Sequence, residues 1–130
     1  MRLPSAVRRE LLDLAVQALP EEACGLLGGT GDRVVVVRPC ANRAASPCGE
    51  LPERPQDVLR ALREFAAAGL DALGVFHSHP AGTSAPSATD LREAAWPELV
   101  HVIVGMTPRP ALAAFRLGDG VAQEEPLDAP

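Results

Sequence analysis

Apolar residues fall on one helical face from Ser5 to Leu19: Val7, Leu11, Leu14, Ala15 and Ala18. Arg8, Arg9, Glu10, Asp13 and Gln17 lie largely elsewhere, so the spacing predicts an amphipathic helix that Pro20 closes. The rhythm then changes. Ala23 to Gly28 is a short apolar run, Gly28 to Asp32 is turn-forming, and Arg33-Val34-Val35-Val36-Val37 is rich in β-branched residues. This predicts two strands joined as a hairpin, the second buried on both faces. Pro39 to Arg54 has no periodicity and reads as a long loop, a candidate binding loop.

From Pro55, a good first helical residue, the stripe Val58, Leu59, Leu62, Phe65 and Ala66 predicts a second helix ending at Gly69. Leu73 to Phe76 reads as a buried strand. Ser87 is a good N-cap for a third helix, which Pro97 stops. Leu99 to Val104 and Ala111 to Leu117 are further strands, and Gly118-Asp119-Gly120 turns into Val121 to Glu124. The strand–helix–strand middle implies some parallel pairing and the hairpins imply antiparallel pairing. The expected class is therefore α/β (α+β), a mixed sheet flanked by helices on both sides. One domain over residues 1–125 and a loose tail over 126–130 are expected.

Composition narrows the function. With three Phe, one Trp and no Tyr, the chain has no stock of rings for stacking single-stranded bases. A net charge of -5 argues against a phosphate-binding surface, so no nucleic-acid partner is expected. No run approaches the ~20 apolar residues of a membrane span. Met1-Arg2-Leu3-Pro4 opens no long apolar signal region. Cys24, Cys40 and Cys48 are odd in number and form no Cys-x-x-Cys pair, which fits reduced thiols. A cytoplasmic protein is the expectation.

The chemistry gathers in His77-Ser78-His79-Pro80 and, behind it, Ser87-Ala88-Thr89-Asp90. Residues two apart on a strand share a face, so His77 and His79 present both imidazoles together. Asp90 sits in the first turn of the helix capped by Ser87. Two imidazoles and one carboxylate leave a fourth position open, the ligand count of a catalytic zinc site. A zinc-bound water needs a nearby base. Glu22 lies just before the first strand, but from the residues alone Glu21, Glu50 and Glu53 are also available.

These two segments, Pro20-Glu21-Glu22-Ala23-Cys24-Gly25-Leu26-Leu27-Gly28 and His77-Ser78-His79-Pro80 to Asp90, closely resemble the JAMM (MPN+) zinc metalloproteases. The signature is a Glu, later His-x-His-Pro, then an Asp separated from the second His by ten residues and preceded by Ser three positions earlier. The likeness is greatest to small stand-alone prokaryotic members. It implies a mixed-sheet, cytidine-deaminase-like fold and a bound Zn²⁺ with His77, His79 and Asp90 as metal ligands. It further implies Glu22 as general base and Ser87 as the donor to the oxyanion. The implied activity is an isopeptidase or peptidase acting after the C-terminal Gly-Gly of a ubiquitin-like or sulfur-carrier protein. The bond would run to a lysine, a precursor extension or a cysteine.

Other zinc chemistries fit less well. His-Glu-x-x-His is absent, position 79 is not the Glu of the zinc deaminases, and no nucleophile elbow surrounds Ser87. Two alternatives stand beside the isopeptidase: a silent binding scaffold of the same fold, and a zinc amidase acting on other small peptides. Asn42 matches a position where members of this family often carry Asn, so it is a candidate substrate or loop contact. Further along, Cys48-Gly49-Glu50-Leu51 replaces a frequent aromatic residue. Cys24 is expected to share a face with Glu22, His101 to be packed or on the surface, and Trp96 to sit in the core or plug a helix end. The oligomeric state is not encoded in these patterns.

Overall fold

The computed structural model describes residues 1–40, 55–92 and 96–128. The elements are α1 (Ser5–Ala18), β1 (Cys24–Thr30), β2 (Arg33–Pro39), α2 (Pro55–Ala67), β3 (Asp71–His79), α3 (Ala88–Arg92), β4 (Val100–Gly105), β5 (Ala111–Gly118) and β6 (Val121–Glu125). The strands form one sheet in the order β2-β1-β3-β4-β5-β6. Only β3 and β4 pair in parallel; the other neighbours are antiparallel. This is the mixed sheet between helices that the pattern predicts.

The alternation of side chains divides the core in two. On one face Val7, Leu11 and Ala15 of α1 pack on Leu27, Val34, Val37, Phe76, Val102 and Val104. On the other, Val58, Ala61 and Phe65 of α2 pack on Leu26, with Val36, Val75 and Trp96 at the margin. β4 is buried throughout, with β3 and β5 paired along its two edges and α1 packed on one face. Burying these aliphatic side chains stabilises the fold by roughly 1.5–3 kcal/mol each.

Two expectations about burial fail. β2 is an edge strand with exposed positions, and Val35 is 48% exposed. The register shifts as Gly28 pairs with Val36 and Gly29 with Val34, so Val35 is a bulge residue. The extra residue turns Val34 and Val37, three apart, into the same α1-facing core. Leu59 is 50% exposed and Ala66 is exposed as well; Val58, Ala61 and Phe65 form the buried line of α2 instead. The 126–130 segment, expected loose, is tied down as far as Asp128. Asp128 accepts from the Leu3 N–H at 2.8 Å and donates to Met1 O at 2.9 Å. The third helix is described to Arg92, and its expected continuation towards Pro97 lies outside the described residues. No helix among the described residues is long and apolar enough to cross a membrane.

Candidate metal centre

The site lies where β1 begins and β3 ends. Because β1 and β3 are antiparallel with Cys24 opposite His77, the residues preceding β1 arrive beside the last residues of β3. The parallel partner β4 ends at the same rim, with Gly105 opposite His79. Open sheets collect ligands at the carboxyl ends of parallel strands, and the site occupies that position.

On β3, Val75 joins the α2-side cluster and Phe76 the α1-side core. By the same alternation His77 and His79 project on the α2 side, and the two rings meet edge to face with centroids 5.0 Å apart. Their Nε2 atoms are 3.2 Å apart. Asp90 arrives from α3. Its Oδ1 is 3.2 Å from His77 Nε2 and its Oδ2 is 3.0 Å from His79 Nε2. Glu22 completes the group: its carboxylate and the two imidazoles bring ligand atoms within 4.8 Å of one another. The structure therefore gathers Glu22, His77, His79, Ser87 and Asp90. Among the carboxylates left open by the sequence, Glu22 is the one at the histidines, and Glu50 and Glu53 lie outside the described residues.

The donor spacing suits a small cation. An ion holding nitrogen and oxygen at ~2.0–2.2 Å in a tetrahedron separates its donors by about 3.3–3.6 Å, close to the spacing found here. The two imidazole Nε2 atoms here are 3.2 Å apart, and Asp90 turns one oxygen to each ring, Oδ1 at 3.2 Å from His77 and Oδ2 at 3.0 Å from His79. Two borderline imidazole nitrogens with one hard carboxylate match a divalent transition metal.

Supporting contacts orient the donors. His79 Nδ1 is 2.7 Å from Thr83 O. A carbonyl only accepts, so Nδ1 carries the proton and the neutral ring turns its Nε2 lone pair into the site. The Thr83 segment is clamped onto the end of β4: Met106 and Thr107 donate to Gly82 O at 2.9 and 3.1 Å. Gly105 permits this approach, since a Cβ there would lie 2.1 Å from Ser84 N. Ser87 caps α3 as expected. Its Oγ accepts from the Asp90 N–H at 3.0 Å, and Asp90 Oδ2 accepts from the Ser87 N–H at 2.8 Å. This reciprocal pair is a capping box, and it fixes the carboxylate before any ion arrives. Ser87 itself is exposed.

The electrostatics are matched to these contacts. Burial pushes the Glu22 carboxyl above its ordinary 4.5, outweighing the pull of His77 and His79, and Asp90 adds to the rise. Burial would also raise Asp90, but hydrogen bonds from His77 and His79 override it and hold the group far below the usual carboxylate range. His79 is raised above 6.5, chiefly by its hydrogen bond to Asp90. One carboxylate is thus kept ionised and another kept proton-hungry in the same site, the division that acid–base chemistry requires.

Other singled-out residues take structural places. His101 is buried with its Nε2 3.2 Å from Trp96 O, and Trp96 packs at the margin of the α2 cluster. Cys24 is buried opposite His77, as its spacing from Glu22 implied, but it is disulfide-bonded rather than reduced. Cys40 is free. Asn42 and Cys48 lie outside the described residues. The Thr83 carbonyl and Gly105 were not identifiable beforehand; a backbone acceptor leaves no residue-type signal.

The chain matches a family model described as prokaryotic homologs of the JAB domain over residues 4–118. It is 40% identical over 86 residues to the desampylase of Haloferax volcanii, covering 65% of this chain and 62% of that protein. Over 118 residues it is 32% identical to the probable TtuB-protein conjugate cleaving protease of Thermus thermophilus, covering 91% and 76% respectively. Its fold superposes on a Desulfitobacterium hafniense protein solved in solution with a TM-score of 0.86 at 35% identity, covering 99% of this chain and 92% of that one. A JAB1/MPN domain protein from Archaeoglobus fulgidus matches in fold with a TM-score of 0.68 at 20% identity, covering 99% and 98%.

Proposed function

As a chain that belongs to the prokaryotic homologs of the JAB domain over residues 4–118, this protein is, we propose, a zinc-dependent isopeptidase or peptidase. Its substrate is the bond following the C-terminal Gly-Gly of a small ubiquitin-like or sulfur-carrier protein, joined to a lysine, a precursor extension or a cysteine. One observation carries the reading. His77 and His79 hold their Nε2 atoms 3.2 Å apart, each 3.0–3.2 Å from one oxygen of Asp90, with Glu22 at the same two imidazoles.

His77, His79 and Asp90 would hold the ion. A zinc ion bound there supplies Lewis acidity, bringing the ionisation of water down to about pH 7. Glu22 takes the proton from the attacking water and returns it to the departing nitrogen. Its raised pKa, caused first by burial, suits both halves of that task. Ser87 has its Oγ lone pair engaged by the Asp90 N–H, which leaves its O–H free to donate to the oxyanion at the former carbonyl. A donor aimed where charge develops lowers the barrier by about 3 kcal/mol. The relatives named for conjugate cleavage, the Haloferax desampylase and the Thermus protease, support this substrate class. The first of these is spanned only over 62% of its own length.

The connection from β3 to α3 is short, and the exposed Ser87 stands at its end. Such a rim admits a thin extended tail rather than a folded domain, which fits a flexible Gly-Gly terminus. The test is direct. Zinc-loaded protein is incubated with a Gly-Gly-ending carrier joined to lysine and, separately, to cysteine. Release of the carrier with its terminus intact is expected from at least one conjugate, and both remaining whole rejects the reading.

A further inference from the structure

Ser78 stands between the two histidines but faces the other way. By strand alternation it projects on the α1 side of the sheet, where it is fully buried. A hydroxyl buried without a partner would cost stability, and this one has a specific partner. Its Oγ accepts from the Ala23 N–H at 2.8 Å, while the Ser78 N–H donates to Ala23 O at 2.9 Å. Both polar groups of the Ala23 backbone are therefore held by one residue.

The place of this clamp is informative. Cys24 is the first residue of β1 and lies opposite His77, so Ala23 and Ser78 form the next pair outward. In an ordinary antiparallel rung both bonds are made between backbones. Here the Ala23 N–H bonds to a side chain. The register is extended one residue beyond the strand by that hydroxyl, and the residue immediately outside it is Glu22. With Ala23 packed towards α1 and Glu22 turned towards His77 and His79, the peptide between them sets the direction of the Glu22 side chain.

We propose that Ser78 is a positioning residue for Glu22: its buried hydroxyl fixes the backbone of Ala23 and thereby aims the Glu22 carboxylate at the histidine pair. This rests on the reading of Glu22 as the base. It also assigns a task to the middle residue of His77-Ser78-His79 that metal ligation leaves unexplained.

The expected consequence is selective. In Ser78→Ala the Ala23 N–H loses its acceptor while both imidazoles keep their strand. Displacing a reacting group by an ångström costs up to ~100-fold, so kcat for the carrier–lysine conjugate should fall roughly tenfold to a hundredfold. KM and zinc affinity should hold within about twofold, because neither the ligands nor Ser87 is touched. In metal-free protein, amide exchange at Ala23 should accelerate, a readout independent of turnover. Ser78→Thr keeps the oxygen and should recover most of kcat; Ser78→Cys, nearer in size but a weaker acceptor, should fall between.

Wild-type kcat in Ser78→Ala overturns the proposal, as does a loss of kcat matched by an equal loss of zinc affinity, which would place the effect on the ligands. Unchanged exchange at Ala23 overturns it as well. If Glu22→Gln retains full activity, the base assignment falls and this proposal falls with it. If Glu22→Gln is inactive while Ser78→Ala is not, only the positioning role is lost.

Discussion

His79 Nδ1 donates to the carbonyl of Thr83 at 2.7 Å, and that carbonyl stays within reach because Gly105 has no side chain. A Cβ at position 105 would lie 2.1 Å from Ser84 N and 2.3 Å from the Thr83 carbonyl carbon. The ring nitrogen facing the site is therefore set by a residue on a different strand. Gly105→Ala is expected to push the Thr83–Ser84 backbone away and release the His79 ring. Outer partners of this kind are worth ~10–100-fold in metal affinity. Competition against a chromophoric chelator measures this, and an unchanged zinc affinity would show that the Thr83 contact is dispensable.

The proposed mechanism gives Ser87 a second duty beside the helix cap. Ser87→Ala removes both the helix cap, worth about 1 kcal/mol, and the hydroxyl donor. Ser87→Gly removes the hydroxyl but costs only a few tenths of a kcal/mol at the cap. Both variants are expected to lose ~100- to 1,000-fold in kcat, as when an oxyanion donor is deleted. Thermal melting should separate them, with Ala the less stable. Equal melting and near-normal kcat in Ser87→Gly would remove Ser87 from the chemistry.

Glu22→Gln keeps the shape of the side chain and loses its basicity. A loss of roughly 100- to 10,000-fold in kcat is expected, with KM little changed. With Glu22 as the base, activity requires the ionised carboxylate, so kcat/KM should rise with pH through the Glu22 pKa. Burial raises that pKa, so the rise should lie above pH 4.5. An acid limb that persists unaltered in the residual activity of Glu22→Gln would belong to another group.

Removing the metal exposes the acid–base balance of the site. The folded pKa of His79 is raised above 6.5, first by its hydrogen bond to Asp90. Its stabilising contribution is therefore fully present below pH 6.5 and is lost as pH rises through the folded value. Glu22 acts in the same direction. Its folded pKa is raised above 4.5, so the unfolded chain gives up that proton first and stability declines as pH rises. The melting temperature of metal-free protein should thus fall with pH above 6.5. Zinc affinity should rise over the same range, because the ion displaces a proton from His79. Melting curves with and without zinc at stepped pH check both, and parallel curves would contradict the coupling.

The local parts of the site were legible in the sequence. His77 and His79 share a face because they are two apart on a strand, and Ser87 with Asp90 three positions later spells a capping box. The distant part was not. Nothing in Glu22 itself distinguishes it from Glu21; it is chosen by the pairing of Cys24 with His77, a long-range register set by burial. The four valines of β2 misled for a related reason. An uninterrupted apolar run carries no phase, so neither its edge position nor the bulge at Val35 was readable. Leu59 sits one position from the true buried line of α2, within the angular width of an amphipathic stripe. The Thr83 carbonyl and the Ala23 amide belong to the backbone, which residue identity does not announce.

Zinc titration by calorimetry on the metal-free wild type and on His77→Ala, His79→Ala, Asp90→Ala and Glu22→Gln tests the centre of the account most directly. One ion per chain is expected in the wild type and in Glu22→Gln, with none held stoichiometrically by the other three. No stoichiometric zinc in the wild type, or zinc lost from Glu22→Gln as completely as from His77→Ala, would contradict it.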